Sequence, residues 1–211
     1  VSQQGRWTEG DLNQLVSASL PTHITQMLRE ILGLGSPALS KADHAWLRQA
    51  AESDAYAMQT EFGVEHDKTA LIVESNVFRY KPLLEPLRVR VHADANPRDI
   101  LRLRLGAAAT GTDLDISADH DVSTDFGELG QSMRIISDSD FAEEISTAQS
   151  VRVRVVGSAP DELYEAAADS GSVILDQDIL AEGRRELLPM LLEQAVSTTE
   201  HRFGYIHGTT P

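Results

Sequence analysis

Cysteine is absent from all 211 residues. That excludes disulfides, thiolate metal sites and a cysteine nucleophile within this chain, and it agrees with a reducing compartment. Basic charge is scarce: 18 Lys and Arg face 33 Asp and Glu, a formal charge of -15. Such a surface repels a phosphate backbone and an anionic bilayer, so neither nucleic acid nor a polyanionic membrane is an expected partner. Long apolar runs are missing as well; none approaches the roughly 20 residues of a membrane span. The opening VSQQGRWTEGDLNQL has no basic segment followed by an apolar run, so no signal peptide is expected. The chain starts at Val1, as a processed protein or a piece of a longer one does.

What is present is a change of period. The first third reads helical. Thr8 and Asp11 form an N-cap pair ahead of LNQLVSASL, and Ile24, Met27, Leu28, Ile31 and Leu32 share one helical face. Another helix starts near Ser40, with Asp43 three residues on and Leu47, Ala51, Ala55, Met58 and Phe62 at helical spacing before Gly63. TALIVESNVFRYKP and PLRVRVHA then read as strands, the second alternating Leu87, Val89 and Val91 with Arg88 and Arg90. Asn96, Pro97 and Asp99 open a helix. TDLDISA, MRIIS, VRVRVVG and SVILD follow as strands, separated by a polar loop over 119–131 and by the capped helices DSDFAEEISTAQ and SAPDELYEAAADSG.

Strand and helix alternate between Leu87 and Asp176, and each intervening helix is long enough for a parallel crossover. The expected fold is α/β: a Rossmann-like, mostly parallel sheet with helices on both faces, plus an N-terminal helical segment. Residues 1–63 read as the helical region or linker, 64–180 as the Rossmann-like domain, and 181–211 as a C-terminal docking helix and tail.

The usual sites of such a sheet are not encoded. A dinucleotide fingerprint needs Gly-x-Gly-x-x-Gly between strand and helix. Here the turns are HADANPRD, ISDSDFAEE and VGSAPDELYE, and Gly157 is their one glycine. Each helix start carries its own acids, Asp99, Asp138 with Asp140, and Asp161 with Glu162, where a phosphate would meet like charge. The lone GELG at 127–130 reads as surface loop. None of the seven histidines forms H-x-x-x-H on a helix, and all read as structural or surface residues. SGSV at 170–173 lacks the spacing of a serine nucleophile elbow. Catalytic, cofactor-binding and metal-ligating residues are therefore expected to be absent from this chain.

The remaining feature is ELLPMLLEQAVSTTEHRFG, 186–204. Leu187, Leu188, Leu191, Leu192, Ala195 and Val196 recur at helical spacing, with Pro189 in or near the first turn. The helix would either cover the chain's own sheet or dock on a neighbour.

Two segments carry a family resemblance. ESNVFRYKP (74–82) and RRELLPMLLEQAVSTTEHRFG (184–204) resemble the C-terminal region of the bifunctional proline utilization A flavoenzymes of actinobacterial type. Their usual patterns are E-x-N-x-F-R-Y-R-P and E-L-L-P-x-L-R-E-Q-A-V-S-x-T-x-H-R-[FY]-G. Lys81 replaces the usual Arg, and Leu192 stands where Arg is common.

The resemblance implies an aldehyde dehydrogenase-like domain that is not catalytic. It implies a cytoplasmic parent, with peripheral membrane association as an option. That parent would carry an FAD-dependent proline dehydrogenase and an NAD-dependent glutamate γ-semialdehyde (1-pyrroline-5-carboxylate) dehydrogenase, joined by a tunnel. FAD and NAD would belong to the parent and not to this chain. The partners would be the dehydrogenase modules of the same polypeptide, with self-association a further option. Leu188, Leu191, Leu192, Ala195 and Val196 would form the docking face, with Arg202 and Phe203 fastening the tail. ELGQS at 128–132 echoes the family's general-base segment, but aldehyde oxidation needs a thiolate and none exists here. The alternative is an autonomous ligand-binding or oligomerisation module.

Overall fold

The computed structural model describes residues 39–67, 74–120 and 128–199, together with Pro21, Thr22, Ile24 and Gln26. The N-cap pair at Thr8 and Asp11 and most of the second expected helix lie outside these residues, although Ile24 is helical and buried in the main core.

Helix α1 (Lys41–Ala57) starts where its capping box dictates. Ser40 Oγ accepts from the Asp43 N–H at 3.2 Å, and Asp43 Oδ2 accepts from the Ser40 N–H at 2.9 Å. The turn Met58–Phe62 then widens into a π-helical segment that ends at Gly63. Strand β1 (Glu74–Pro82) leads into β2 (Leu87–Val91). Next come α2 (Pro97–Thr110), β3 (Leu114–Ala118), the short α3 (Glu128–Gln131) and β4 (Arg134–Ile135). The chain continues through α4 (Asp138–Thr147), β5 (Arg152–Val156), α5 (Asp161–Ser170) and β6 (Val173–Leu175). It ends in α6 (Gly183–Leu187), a 3-10 turn (Leu188–Met190) and β7 (Leu191–Thr199).

Five strands form a parallel sheet in the order β4-β3-β2-β5-β6. The chain enters at the central strand β2, winds out through β3 and β4, then crosses back to β5 and β6. This is the doubly wound pattern expected from the sequence, with its reversal of direction between β2 and β5.

Alternation along the strands explains the two cores. Leu87, Val89 and Val91 face Leu47 of α1, Leu101 and Leu105 of α2, and Leu187 of α6. Val153 and Val155 of β5 face the other way, onto Phe141 and Ile145 of α4 and Leu163 of α5. Burying each of these large aliphatic side chains contributes about 1.5–3 kcal/mol.

Three arginines are buried as well. Arg102 on α2 donates to both oxygens of Asp54 on α1, at 2.8 and 2.7 Å. Arg154 on β5 meets Glu186 of α6 at 3.1 Å, and Arg90 on β2 meets Asp138 of α4 at 2.6 Å. Each pair ties a helix to the sheet or to another helix. Among the described residues no helix is long and apolar enough to cross a membrane.

The C-terminal docking helix is the clearest correction. Only Gly183–Leu187 is α-helical; Pro189 sits in the 3-10 turn, and Leu191–Thr199 is a strand. β7 pairs antiparallel with β1 over nine residues, from Leu191 opposite Pro82 to Thr199 opposite Glu74. Two forces beat the helical period. Pro189 cannot donate a helical hydrogen bond, and the run Val196-Ser197-Thr198-Thr199 favours extended backbone. The polar loop expected over 119–131 also changes, because Glu128–Gln131 forms a short helical turn.

Candidate functional site

Two places stand out, at opposite ends of the sheet. The first is a cleft of about 760 Å³ where the strand order reverses, beyond the carboxyl ends of β2 and β5. Ligands of open α/β sheets bind in such crevices. Trp46 of α1 and the segment Asp176–Glu182 form its walls.

The amides at its two strand-to-helix turns that face Asn96 and Asp94 are already used. Pro97 has no N–H, and the Arg98 N–H donates to Asn96 Oδ1 at 3.0 Å. After β5, the Ser158 N–H and hydroxyl donate to the two Asp94 oxygens at 3.0 and 2.6 Å. Those bonds, the hydroxyl first, hold the Asp94 carboxyl below its ordinary range. Gly157 makes the contact possible: its φ is +99°, and a Cβ there would stand 2.3 Å from Asp94 Oδ1.

The cleft is also acidic. Asp94, Asp99, Asp176, Asp178 and Glu182 line it against Arg98 and Arg185. Arg98 lies over the Trp46 ring at 4.3 Å and donates to Asp99 at 3.0 and 3.1 Å. Burial pushes the carboxyls of Asp99 and Glu182 up. A dinucleotide phosphate would find acids here and few free donors.

The second place is the β1–β7 ribbon, at the amino end of the sheet. Its root is tied down by side chains that precede or begin the sheet strands. Thr112 Oγ1 donates to Met190 O at 2.6 Å, and Arg152 Nη1 donates to Pro189 O and Leu191 O at 2.7 and 2.8 Å. Further out, Tyr80 packs edge-on against Phe62 and Phe78, with centroids 4.8 and 5.2 Å apart. His66 bridges Phe78 through two backbone hydrogen bonds of 2.8 Å, so β1 has a partner on each edge. β7 pairs with β1 on one edge, and no described strand pairs with the other.

The expected docking residues fall differently on a strand than on a helix. Successive side chains alternate between faces. Leu191 and Ala195 therefore share one face of β7, while Leu192 and Val196 share the other. Leu191 is buried at the root, Leu192 and Val196 are half-buried, and Ala195 is exposed. Leu188 lies in the 3-10 turn and is exposed. Arg202 and Phe203 lie outside the described residues. The single apolar stripe of the helical reading is thus divided between two faces.

Sequence reasoning missed the polar groups that tertiary structure gathers. Asp94 and Ser158 are 64 residues apart, and Thr112 and Met190 are 78 apart. No local motif marks either contact; Gly157, the one glycine of the strand-to-helix turns, was the nearest signal.

No protein-family model and no curated protein matches the chain. A solved structure does: proline utilization A (PutA) from Corynebacterium freiburgense, with a TM-score of 0.63 and 38% identity. The match covers 90% of this chain and 16% of that one. The chain is thus similar, over most of its length, to a domain-sized part of proline utilization A.

Proposed function

We propose that this chain is a non-catalytic structural domain of a bifunctional proline-catabolic enzyme, in which the β1–β7 ribbon docks on a dehydrogenase module of the same polypeptide and helps seal the path of the reactive aldehyde. The carrying observation is the ribbon itself. It is nine residues long in both strands, is rooted in the sheet by Thr112 and Arg152, and leaves one edge of β7 without a strand among the described residues. Such an edge adds readily to a neighbouring sheet, where main-chain hydrogen bonds supply affinity and alternate side chains supply specificity.

The chemistry agrees. An aldehyde dehydrogenase needs a thiolate nucleophile, and the chain has no cysteine. FAD and NAD would be held by the parent's other modules. The parent would oxidise proline and then glutamate semialdehyde in the cytoplasm. The sheet's own cleft gives little support to an autonomous ligand-binding reading, because the Arg98 and Ser158 amides are occupied and its lining is acidic.

The test is a coupled assay on the full-length parent, with proline as substrate and NADH formation as readout. Removing Leu191–Pro211 is expected to introduce a lag before NADH appears, while each dehydrogenase keeps its separate activity. An unchanged progress curve would sink the proposal.

A further inference from the structure

The segment 176–182 runs between β6 and α6 and walls one side of the cleft. All of its residues are exposed or half-buried. Among the described residues, none of 177–181 makes a backbone–backbone hydrogen bond. Charged side chains hold the segment instead. Arg154 donates to the carbonyls of Leu175, Gln177 and Asp178 at 3.0, 2.6 and 3.4 Å. Arg102 Nε donates to the Leu180 carbonyl at 2.8 Å, and Glu186 Oε2 accepts from the Leu180 N–H at 2.9 Å. We propose that 176–182 is a strap over the cleft, and that it opens and closes as one unit with the β1–β7 ribbon.

β5 joins the two. Its alternating pattern puts Arg152 and Arg154 on one face, because side chains two apart on a strand point the same way. Val153 and Val155, between and beyond them, point into the core of α4 and α5. Arg152 holds the root of the ribbon through the carbonyls of Pro189 and Leu191, at 2.7 and 2.8 Å. Arg154 holds the strap. A single strand face therefore grips both segments.

Helix α6 is the second link. Glu186 takes the strap's Leu180 N–H with one oxygen and Arg154 with the other, at 3.3 Å from Nε and 3.1 Å from Nη2. Only Leu187 and Leu188 separate it from Pro189. α6 has five residues, less than a turn and a half at about 3.6 residues per turn. So short a helix has no length over which to bend. A shift of the strap is passed on to the 3-10 turn and β7.

Such a fastening is poised to release. Arg102, Asp54, Arg154 and Glu186 are buried, and buried ion pairs return little net stability after their desolvation. The sheet, by contrast, is held by apolar burial on both faces. Of the strap only Ile179 packs on the main core, and at its start the Tyr164 hydroxyl of α5 donates to Asp176 at the surface. Segments with few buried apolar contacts open locally, at lower free energy than the whole fold. Opening the strap would widen the cleft and loosen β7 together, so access to the cleft and the position of the ribbon are linked. That linkage holds whatever the ribbon docks on.

Native-state hydrogen exchange of the full chain, read by mass spectrometry at low urea, tests this unit. Amides of 176–182 and 191–199 should share one protection and one urea dependence, both lower than those of β2 and β5. Glu186→Gln replaces an acceptor oxygen by an NH₂ group, which cannot accept the Leu180 N–H. It should speed exchange in both segments at least about 10-fold, leaving β3 unchanged. Phe141→Leu loosens the core on the opposite face of the sheet and should not single out the strap. If Glu186→Gln does not fold by circular dichroism, the comparison within the unmutated chain decides alone. Unrelated protection of strap and ribbon in that chain, or a Glu186→Gln effect confined to the strap, would overturn the proposal.

Discussion

The parallel sheet and the β1–β7 ribbon are built from similar residues but stabilised in opposite ways. β2 and β5 are almost wholly buried, between helices on both faces. β1 and β7 are nearly twice as long, yet most of their residues are half-buried or exposed. A two-stranded ribbon alone is marginal in water. This one persists through its root and the Phe62–Tyr80–Phe78 ring cluster rather than through a core of its own. The lesson is a division of labour: the sheet holds the fold, and the ribbon is the part with surface to spare.

Substitutions can break that comparison. The largest effect should come from Asp54→Ala, which leaves the fully buried Arg102 unpaired. Removing one member of a buried pair costs about 3–5 kcal/mol; urea unfolding measures it, and a loss below about 1 kcal/mol would contradict the sheet's dependence on this tie. Gly183→Ala comes next. Its new Cβ would lie 2.7 Å from backbone atoms of Ser53 and Asp54, forcing α6 off α1 at about 1–3 kcal/mol. Because α6 leads into β7, this variant should also speed hydrogen exchange in the ribbon.

A pH effect should follow from the same pair. Burial pushes the Asp54 carboxyl up to about 6, against the pull of Arg102. The folded state then holds this proton more tightly than the unfolded chain, whose aspartates titrate near about 3.9. The contribution to stability is full below about pH 4 and is lost as pH rises through about 6. Urea midpoints for the parent sequence and Asp54→Asn should diverge in slope across that window, and parallel curves would refute the assignment. The smallest effect belongs to the ribbon: Val196→Thr, opposite Val77, should change stability by less than about 1 kcal/mol. A larger loss would mean that the ribbon belongs to the core.

The doubly wound sheet was legible because its signals are local. Ser40 with Asp43, Asn96 with Pro97, and Ser137 ahead of Asp140 cap helices where the sequence says they should. The terminal segment was misread because six apolar residues in ten satisfy a helical stripe as readily as an irregular strand. Its partner strand begins more than a hundred residues earlier, so no window over 186–204 contains the deciding contact. The candidate sites were hidden for the same reason. Asp94 and Ser158 are 64 residues apart and meet only when β2 and β5 align.

The sequence by itself determined the absence of a thiol, the acidic balance, the α/β alternation and the points where most helices begin. These follow from composition and from interactions within a turn or two of chain. Only the tertiary structure decided that Leu191–Thr199 is a strand, that Arg90, Arg102 and Arg154 are buried with acids, and that the Ser158 amide at the switch point is taken by Asp94. Those outcomes depend on partners far away in sequence, whose hydrogen bonds and burial outweigh the weak local preferences of the residues involved.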